Sequence, residues 1–234
     1  MESMQRRIEH FITASLLAVI GCAITTEAGA QMPGVPVLQN AFVNPGFSAA
    51  GNLGSGSGVS TFGGAGAFGA GRFQFSGGMG LFTPKNGNGR FAYGVRGFAP
   101  FIGLAPESKF GFGVFAGIGG AASGSATTAA GDDTTTSNAV TLVPVGFSAS
   151  YRMAIGTSHG FSIYGSPVFT WYNKGGSGAG TGSVVRGSVG TDVGITQTIG
   201  LTLGLEFGAS ADEHTNGPRG TVFGAGLSFV FGRH

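Results

Sequence analysis

The strongest constraint in this sequence is an alternation of apolar and small residues that repeats along most of the chain. Residues 110–120, FGFGVFAGIGG, place Phe110, Phe112 and Val114 on one parity and mostly Gly on the other. Alternate residues of a β-strand point to opposite faces, so one face of this strand is apolar and the other is largely bare backbone. A sheet with one face in water normally carries polar side chains there, and this segment has none.

The same pattern recurs in ten segments that are separated by turn-forming residues. It predicts strands at 46–53, 60–69, 73–83, 90–103, 110–120, 141–154, 161–173, 184–198, 201–210 and 221–231, of which the first two are the weakest. Long helices are disfavoured because 48 of the 234 residues are Gly and each interior Gly costs a helix about 1 kcal/mol relative to Ala. An eight-strand version stays open if residues 46–69 lie outside the sheet.

Charged residues well inside these segments all fall on the parity opposite to the apolar one; they are Arg96, Arg152, Arg186, Asp192 and Glu206. The chain is only 9% charged, against about 25% in typical soluble domains. A barrel whose apolar face meets lipid and whose small and charged residues face the interior explains both features, and about 9–11 tilted residues cross a bilayer. We therefore predict a transmembrane, antiparallel, up-and-down β-barrel over residues 46–234, with ten strands favoured.

The connections support this topology because longer and shorter ones alternate. The longer ones are 54–59, 84–89, 121–140, 174–183 and 211–220, and the shorter ones are 70–72, 104–109, 155–160 and 199–200. Outer-membrane barrels have long external loops and short periplasmic turns. Ten strands also place both ends of the barrel on the short-turn side.

Residues 1–30 have the organisation of a secretory signal peptide. Arg6 and Arg7 precede an apolar run, residues 11–24, that is too short for a transmembrane helix, and Ala28-Gly29-Ala30 forms a small-x-small cleavage motif before Gln31. The alternative is a lipoprotein signal, since the residues that end at Cys22 resemble a lipidation box. Residues 31–45 form an extended lead-in to the barrel.

In these features residues 46–231 resemble the small outer-membrane β-barrel proteins of Gram-negative bacteria. The last predicted strand ends in GLSFVF, with alternating aromatic residues, although Gly232-Arg233-His234 follow the terminal Phe. The resemblance implies a place in the outer membrane after export through a cleaved signal peptide. It also implies contact with the lipid bilayer and lipopolysaccharide, and insertion by the barrel-assembly machinery.

The sequence contains no convincing catalytic, metal or cofactor site. The GxGxxG match at 64–69 lacks a following helix, and the GxSxG match at 156–160 precedes a strand rather than the helix that a nucleophile elbow requires. An outer-membrane acyl hydrolase or acyltransferase is the enzyme alternative, but His159, His214 and His234 lie in turns or at the terminus. A net charge of +2 without a basic cluster in the barrel region makes nucleic acid an unexpected partner.

For the lumen we predict a cluster of Arg96, Asp192 and Glu206, with Arg186 above it and Arg152 nearer the short-turn rim. Its role is either structural charge pairing or gating. Five aromatic residues are candidates to fill the lumen: Phe62, Phe68, Phe98, Phe115 and Tyr164. Bulges are expected where Pro interrupts a paired strand, at Pro100, Pro144 and Pro167.

These features favour a structural or surface role in the outer membrane. Two alternatives stay open: a passive, porin-like pore for small solutes, and a secreted Gly-rich β-structured protein of the cell surface.

Overall fold

The computed structural model describes residues 46–56, 59–70, 72–84, 89–105, 107–127, 134–137, 139–155, 159–176, 179–196, 198–208 and 220–231. Its strands are β1 (Gly46–Gly56), β2 (Val59–Ala70), β3 (Phe73–Pro84), β4 (Arg90–Ile102), β5 (Phe110–Ala121), β6 (Gly124–Thr127), β7 (Thr134–Ser137), β8 (Val140–Ile155), β9 (His159–Lys174), β10 (Gly180–Gly194), β11 (Ile199–Gly208) and β12 (Val222–Phe231). The predicted signal peptide and lead-in, with Cys22, Ala28, Ala30 and Gln31, lie outside the described residues.

No helix in the described part of the chain is long and apolar enough to cross a bilayer.

Ten of the strands close into one antiparallel barrel, in which β12 pairs with β1. The prediction of ten strands is confirmed, and the eight-strand version is wrong because β1 and β2 are both paired members of the barrel. The remaining strands, β6 and β7, pair with each other within the connection between β5 and β8, which the sequence predicted as loop alone.

The barrel has two distinct ends. The connections that follow β1, β3, β5, β9 and β11 meet at one end, which we call the long-connection end. The connections that follow β2, β4, β8 and β10 meet at the other, which we call the short-turn end. Gly46 and Phe231 also lie there, because the first and last strands run antiparallel with Phe47 opposite Phe231.

Strand parity separates an apolar outer surface from a small and polar interior. The outer surface exposes Phe75 at 61%, Phe110 at 66% and Trp171 at 51%, and every barrel strand contributes at least one large exposed apolar side chain. Inward positions carry Ser, Thr, Gly and Arg, most of which are buried. Closure pairs each strand on both edges, which lipid requires because it offers no partner to an open edge.

β2 departs from the predicted filling of the lumen. Phe62 and Phe68 were expected inside, but they are 63% and 53% exposed on the outer surface. The opposite parity of β2, which includes Thr61 and Ala67, faces inward. Phe62 and Phe68 share one parity of β2, so the strand follows the same rule as its neighbours and places its large side chains outside. Pairing with β1 and β3 is consistent with this orientation.

Of the three expected proline bulges, one is present. The register between β4 and β5 shifts between Pro100 and Ile102, but it is unchanged across Pro144 and Pro167. At Pro167, which has no N–H, the Ser166 hydroxyl donates to the Phe147 carbonyl at 2.8 Å. This side-chain bond replaces the missing ladder donor, so the strand does not need to bulge.

The turn between β10 and β11 also differs from its predicted place at 199–200. Residues 195–198 form the turn, and the Thr196 hydroxyl accepts hydrogen bonds from the backbone N–H groups of Thr198 and Ile199. The Ile195 N–H donates to the Ile199 carbonyl at 2.9 Å. The earlier turn changes which residues of β10 and β11 face each other.

A charge on the outer surface should be costly in proportion to its depth in the bilayer. Val189 lies on this surface near the middle of β10, so Val189→Arg is expected to lower the free energy of unfolding by about 2–4 kcal/mol in lipid vesicles. Thr83→Arg, on the outward parity near the long-connection end, should cost about 0–1 kcal/mol. Urea unfolding of vesicle-inserted protein measures both, and equal costs would contradict a lipid-facing surface.

Candidate functional site in the barrel interior

An apolar cluster lies inside the barrel at the long-connection end. We call it the upper cluster; its buried members are Val59, Phe82, Ala92, Ala121, Val140 and Val222, and Leu142 and Tyr172 pack against them. All of these residues lie near strand ends that adjoin the long connections. The cluster therefore lies at the mouth of the barrel on that side.

A second apolar cluster lies deeper in the barrel. We call it the middle cluster; it consists of Phe98, Phe115 and Val168, each at most 7% exposed. The Arg96 guanidinium carbon lies 4.9 Å from the ring centre of Phe115 and 5.9 Å from that of Phe98. These distances are within the range of cation–π attraction, so the middle cluster holds a buried positive charge against its rings.

Inward glycines make room for these rings. A Cβ added at Gly113 would come within 3.0 Å of the Phe98 ring, and one added at Gly146 would do the same with Phe115. Gly182 and Gly190 stand in the same relation to Tyr172 and Tyr164. Each ring thus lies over bare backbone of the next strand. This explains why the inward parity combines glycine with a few large aromatic residues.

A salt bridge between Arg186 and Glu206 connects β10 to β11 inside the barrel. The side chains are only 7% and 16% exposed. Arg186 also donates through Nη2 to the Gly220 carbonyl at 2.7 Å, next to β12. The pair therefore joins three consecutive segments of the wall and keeps both charges compensated, as burial requires.

The remaining predicted lumen charges lie elsewhere along the barrel. Asp192, on β10, is 3% exposed and accepts a hydrogen bond from the Ser162 hydroxyl at 3.3 Å. Arg152 lies near the short-turn end of β8, where its Nε and Nη2 donate to the carbonyls of Ser108 and Ala105 at 2.7 and 3.1 Å. Arg152 thus secures the connection between β4 and β5.

The predicted proximity of Asp192 and Glu206 is wrong. Thr202 stands opposite Asp192, and Ser188 stands opposite Glu206. The cause is the turn at 195–198, which lies earlier in the chain than the turn assumed from the sequence. Glu206 is therefore carried toward the long-connection end, where Arg186 is its salt-bridge partner.

Sequence reasoning missed Arg90 as an interior charge. Arg90 begins β4 and is 5% exposed, and no described residue accepts a hydrogen bond from its Nε or Nη1. It has the same parity as Arg96, and that signal was sufficient to place it inside. Arg90 is the first residue of the predicted segment 90–103, so it was left out of the charges counted as well inside a strand.

Only one of the three candidate catalytic histidines lies among the described residues. His159 is the first residue of β9, while His214 and His234 lie outside the described residues. Among the described residues no three His, Cys, Asp or Glu side chains come together as metal ligands.

No protein-family model matches the chain. No curated protein matches its sequence either. Among solved structures, the beta domain of the Bordetella autotransporter BrkA aligns with a TM-score of 0.51 at 14% identity, over 79% of this chain and 98% of that chain. The N-terminal β-barrel domain of Pseudomonas aeruginosa OprF gives a TM-score of 0.38 at 9% identity, over 85% and 100%. The KdgM porin gives 0.39 at 11% identity, over 79% and 99%.

This is the fold of an outer-membrane β-barrel. At these identities the likeness concerns the fold alone, so the role of this barrel has to be argued from its own interior. That interior contains two apolar clusters, together with charged and hydroxyl groups that bond to the wall.

The glycines under the rings offer a direct test of this packing. Gly113→Ala places a methyl group against the Phe98 ring and the Ala99 carbonyl, and overpacking of this kind costs about 1–3 kcal/mol. Gly97→Ala on the outer surface is the matched control, because its nearest neighbour would be 3.8 Å from the new Cβ, which is ordinary contact. Equal unfolding free energies of the two variants would show that the ring does not lie over Gly113.

Proposed function

We propose that the protein is an integral outer-membrane β-barrel with a structural or surface role, and that its own side chains close its lumen. The observation that carries this proposal is the presence of two apolar clusters at different heights inside the barrel. Small barrels are commonly filled by side chains rather than open. A solute would have to displace Phe82 and Tyr172 at the mouth and then the rings of Phe98 and Phe115.

The outer surface supports the membrane location. Large apolar side chains are exposed on every barrel strand. Monomeric proteins in water rarely expose such a continuous apolar surface. We infer that this surface contacts the lipid bilayer and that the long-connection end faces outward, where lipopolysaccharide forms the outer leaflet.

Export and insertion are part of the same proposal. Residues 1–30 serve as a signal peptide cleaved between Ala30 and Gln31; lipidation at Cys22 is the alternative route. The last strand supports recognition by the barrel-assembly machinery, because two aromatic residues, Phe229 and Phe231, occupy successive outward positions at its end.

A non-enzymatic role fits the interior better than catalysis. Arg186 is bonded to Glu206 and to the Gly220 carbonyl, Arg152 is bonded to backbone carbonyls, and Asp192 is bonded to Ser162. These groups stabilise the wall. A catalytic group has to face the reacting atoms of a substrate instead.

The passive pore is the second candidate, and the buried hydroxyls favour it. Ser48, Ser150, Ser162 and Ser228 line the interior toward the short-turn end, so that part of the lumen is polar. A pore requires this polar part to continue past both apolar clusters.

The membrane location can be tested by extraction. Membranes from cells that produce the full chain are washed with alkaline carbonate and then with urea, and the pellets are compared on gels with and without heating. An integral barrel stays in the pellet and changes its gel migration on heating. Release into the wash without detergent would contradict the proposal and support the secreted surface protein instead.

A further inference from the structure

Three rows of outward residues on β8, β9 and β10 show where the apolar surface ends. Val145, Phe169 and Val185 face one another in the first row. The next row toward the long-connection end is Val143, Trp171 and Ser183, and the last is Thr141, Asn173 and Thr181. The first row is therefore apolar, the second contains the Trp side chain, and the third carries only hydroxyl and amide groups.

The same change occurs on β1, β2 and β3. There Leu53, Phe62 and Leu81 form an apolar row, and Ser55, Ser60 and Thr83 form the polar row beyond it. Since polar rows on separate parts of the wall lie toward the same end, they mark one boundary. Trp side chains are enriched at this level of a membrane, where one end of the indole is apolar and the other meets headgroups.

At this boundary β8, β9 and β10 form a groove. Its volume is about 370 Å³, and its outward lining includes Thr141, Asn173, Thr181, Ser183, Val143 and Trp171. This is within the range of sites that take small-molecule groups. Trp171 is 51% exposed and is the only tryptophan of the chain.

The chemistry of the groove indicates what it binds. The residues that line it carry hydroxyl, amide and aromatic groups and no charge. A phosphate or carboxylate would be expected to meet Arg or Lys. A neutral sugar ring instead needs hydrogen-bonding groups at its edge and an aromatic face against its C–H bonds, and this groove offers both.

We propose that this groove, formed by Thr141, Trp171, Asn173 and Thr181, binds a neutral sugar ring of an outer-leaflet glycolipid headgroup. The inference rests on the proposed membrane location. Thr141, Asn173 and Thr181 bond the sugar hydroxyls, and the Trp171 indole contacts the face of the ring. The lipid chains then lie along the apolar row of Val145, Phe169 and Val185.

Because Trp171 is the only tryptophan, its fluorescence reports on this groove alone. The full-length barrel is inserted into phosphatidylcholine vesicles that contain increasing mole fractions of lipopolysaccharide, with phosphatidylglycerol in parallel. We expect a saturable change in emission with lipopolysaccharide. Asn173→Ala/Thr181→Ala should raise the half-saturating mole fraction at least tenfold. Ser60→Ala/Thr83→Ala, at the same boundary on β2 and β3 and outside the lining of this groove, should leave it within twofold.

An equal response to phosphatidylglycerol, or an Asn173→Ala/Thr181→Ala variant that saturates like the wild type, would overturn the sugar site. The membrane location has its own readout in the same vesicles. Bromine near the glycerol end of the lipid chains should quench Trp171 more strongly than bromine near the chain ends. The reverse order would contradict the location itself, so the two failures are distinguishable.

Discussion

Removing one ring from each interior cluster is expected to make the barrel conduct ions. The variant is Phe82→Ala/Phe115→Ala, which truncates the upper and the middle cluster together. The two clusters lie at different heights in the barrel. In the proposed closed lumen they act in series, so loss of either ring alone leaves the other cluster in place. We expect discrete current steps from the double variant, at least tenfold above the level of either single variant in a planar bilayer.

The two single variants are the controls for this result. Each loses a buried Phe, which costs about 3–5 kcal/mol, so heat-modifiable migration has to show that every sample is folded before currents are compared. Currents from Phe115→Ala equal to those of the double variant would mean that the upper cluster does not seal the mouth. A silent but folded double variant would place the seal elsewhere in the lumen.

Removing one partner of the Arg186–Glu206 pair is expected to destabilise the barrel strongly. Glu206→Leu leaves the 7% exposed Arg186 without its carboxylate, and an uncompensated buried charge costs about 3–5 kcal/mol. Replacing both residues, as Arg186→Met/Glu206→Leu, should recover most of this loss because no buried charge remains. Urea unfolding of vesicle-inserted protein measures the free energies.

The matched control for the pair is Arg72→Met, which removes an Arg from the exposed turn between β2 and β3. Exposed substitutions of this kind change stability by about 0.5 kcal/mol or less. If the double variant were as unstable as Glu206→Leu, the uncompensated charge of Arg186 would not be the cause of the loss, and the packing around Glu206 would be the cause instead.

The parity of the sequence was sufficient to predict the barrel because lipid and lumen demand opposite residue types. On β11 and β12 the Leu and Phe residues share one parity, which faces outward. On β3 and β5 most large apolar residues follow the same rule, whereas Phe82 and Phe115 lie on the inward parity and are buried. The prediction was wrong at β2, where Phe62 and Phe68 share one parity and the opposite parity carries Val59, Thr61, Gly and Ala. The rule that large apolar residues face lipid places both rings on the outer surface, which is where the structure has them.

The interior charges were harder to predict because their contacts depend on register. The parity of Arg186 and Glu206 indicated that both face inward, but their salt bridge requires the β10–β11 turn at residues 195–198. That turn is stabilised by the Thr196 hydroxyl, whose hydrogen bonds are not visible in an apolar pattern. A turn placed a few residues later moved Glu206 toward Asp192 and away from its partner.

The most direct test is the conductance of the wild-type barrel, residues 31–234, folded in detergent and inserted in a planar bilayer. Migration on an unheated gel establishes that the protein is folded, and resistance to urea extraction establishes that it is inserted. We predict that this folded and inserted protein carries no measurable current, because the upper and middle clusters close the lumen. Discrete, reproducible current steps from the wild type would contradict the closed lumen and establish the passive pore.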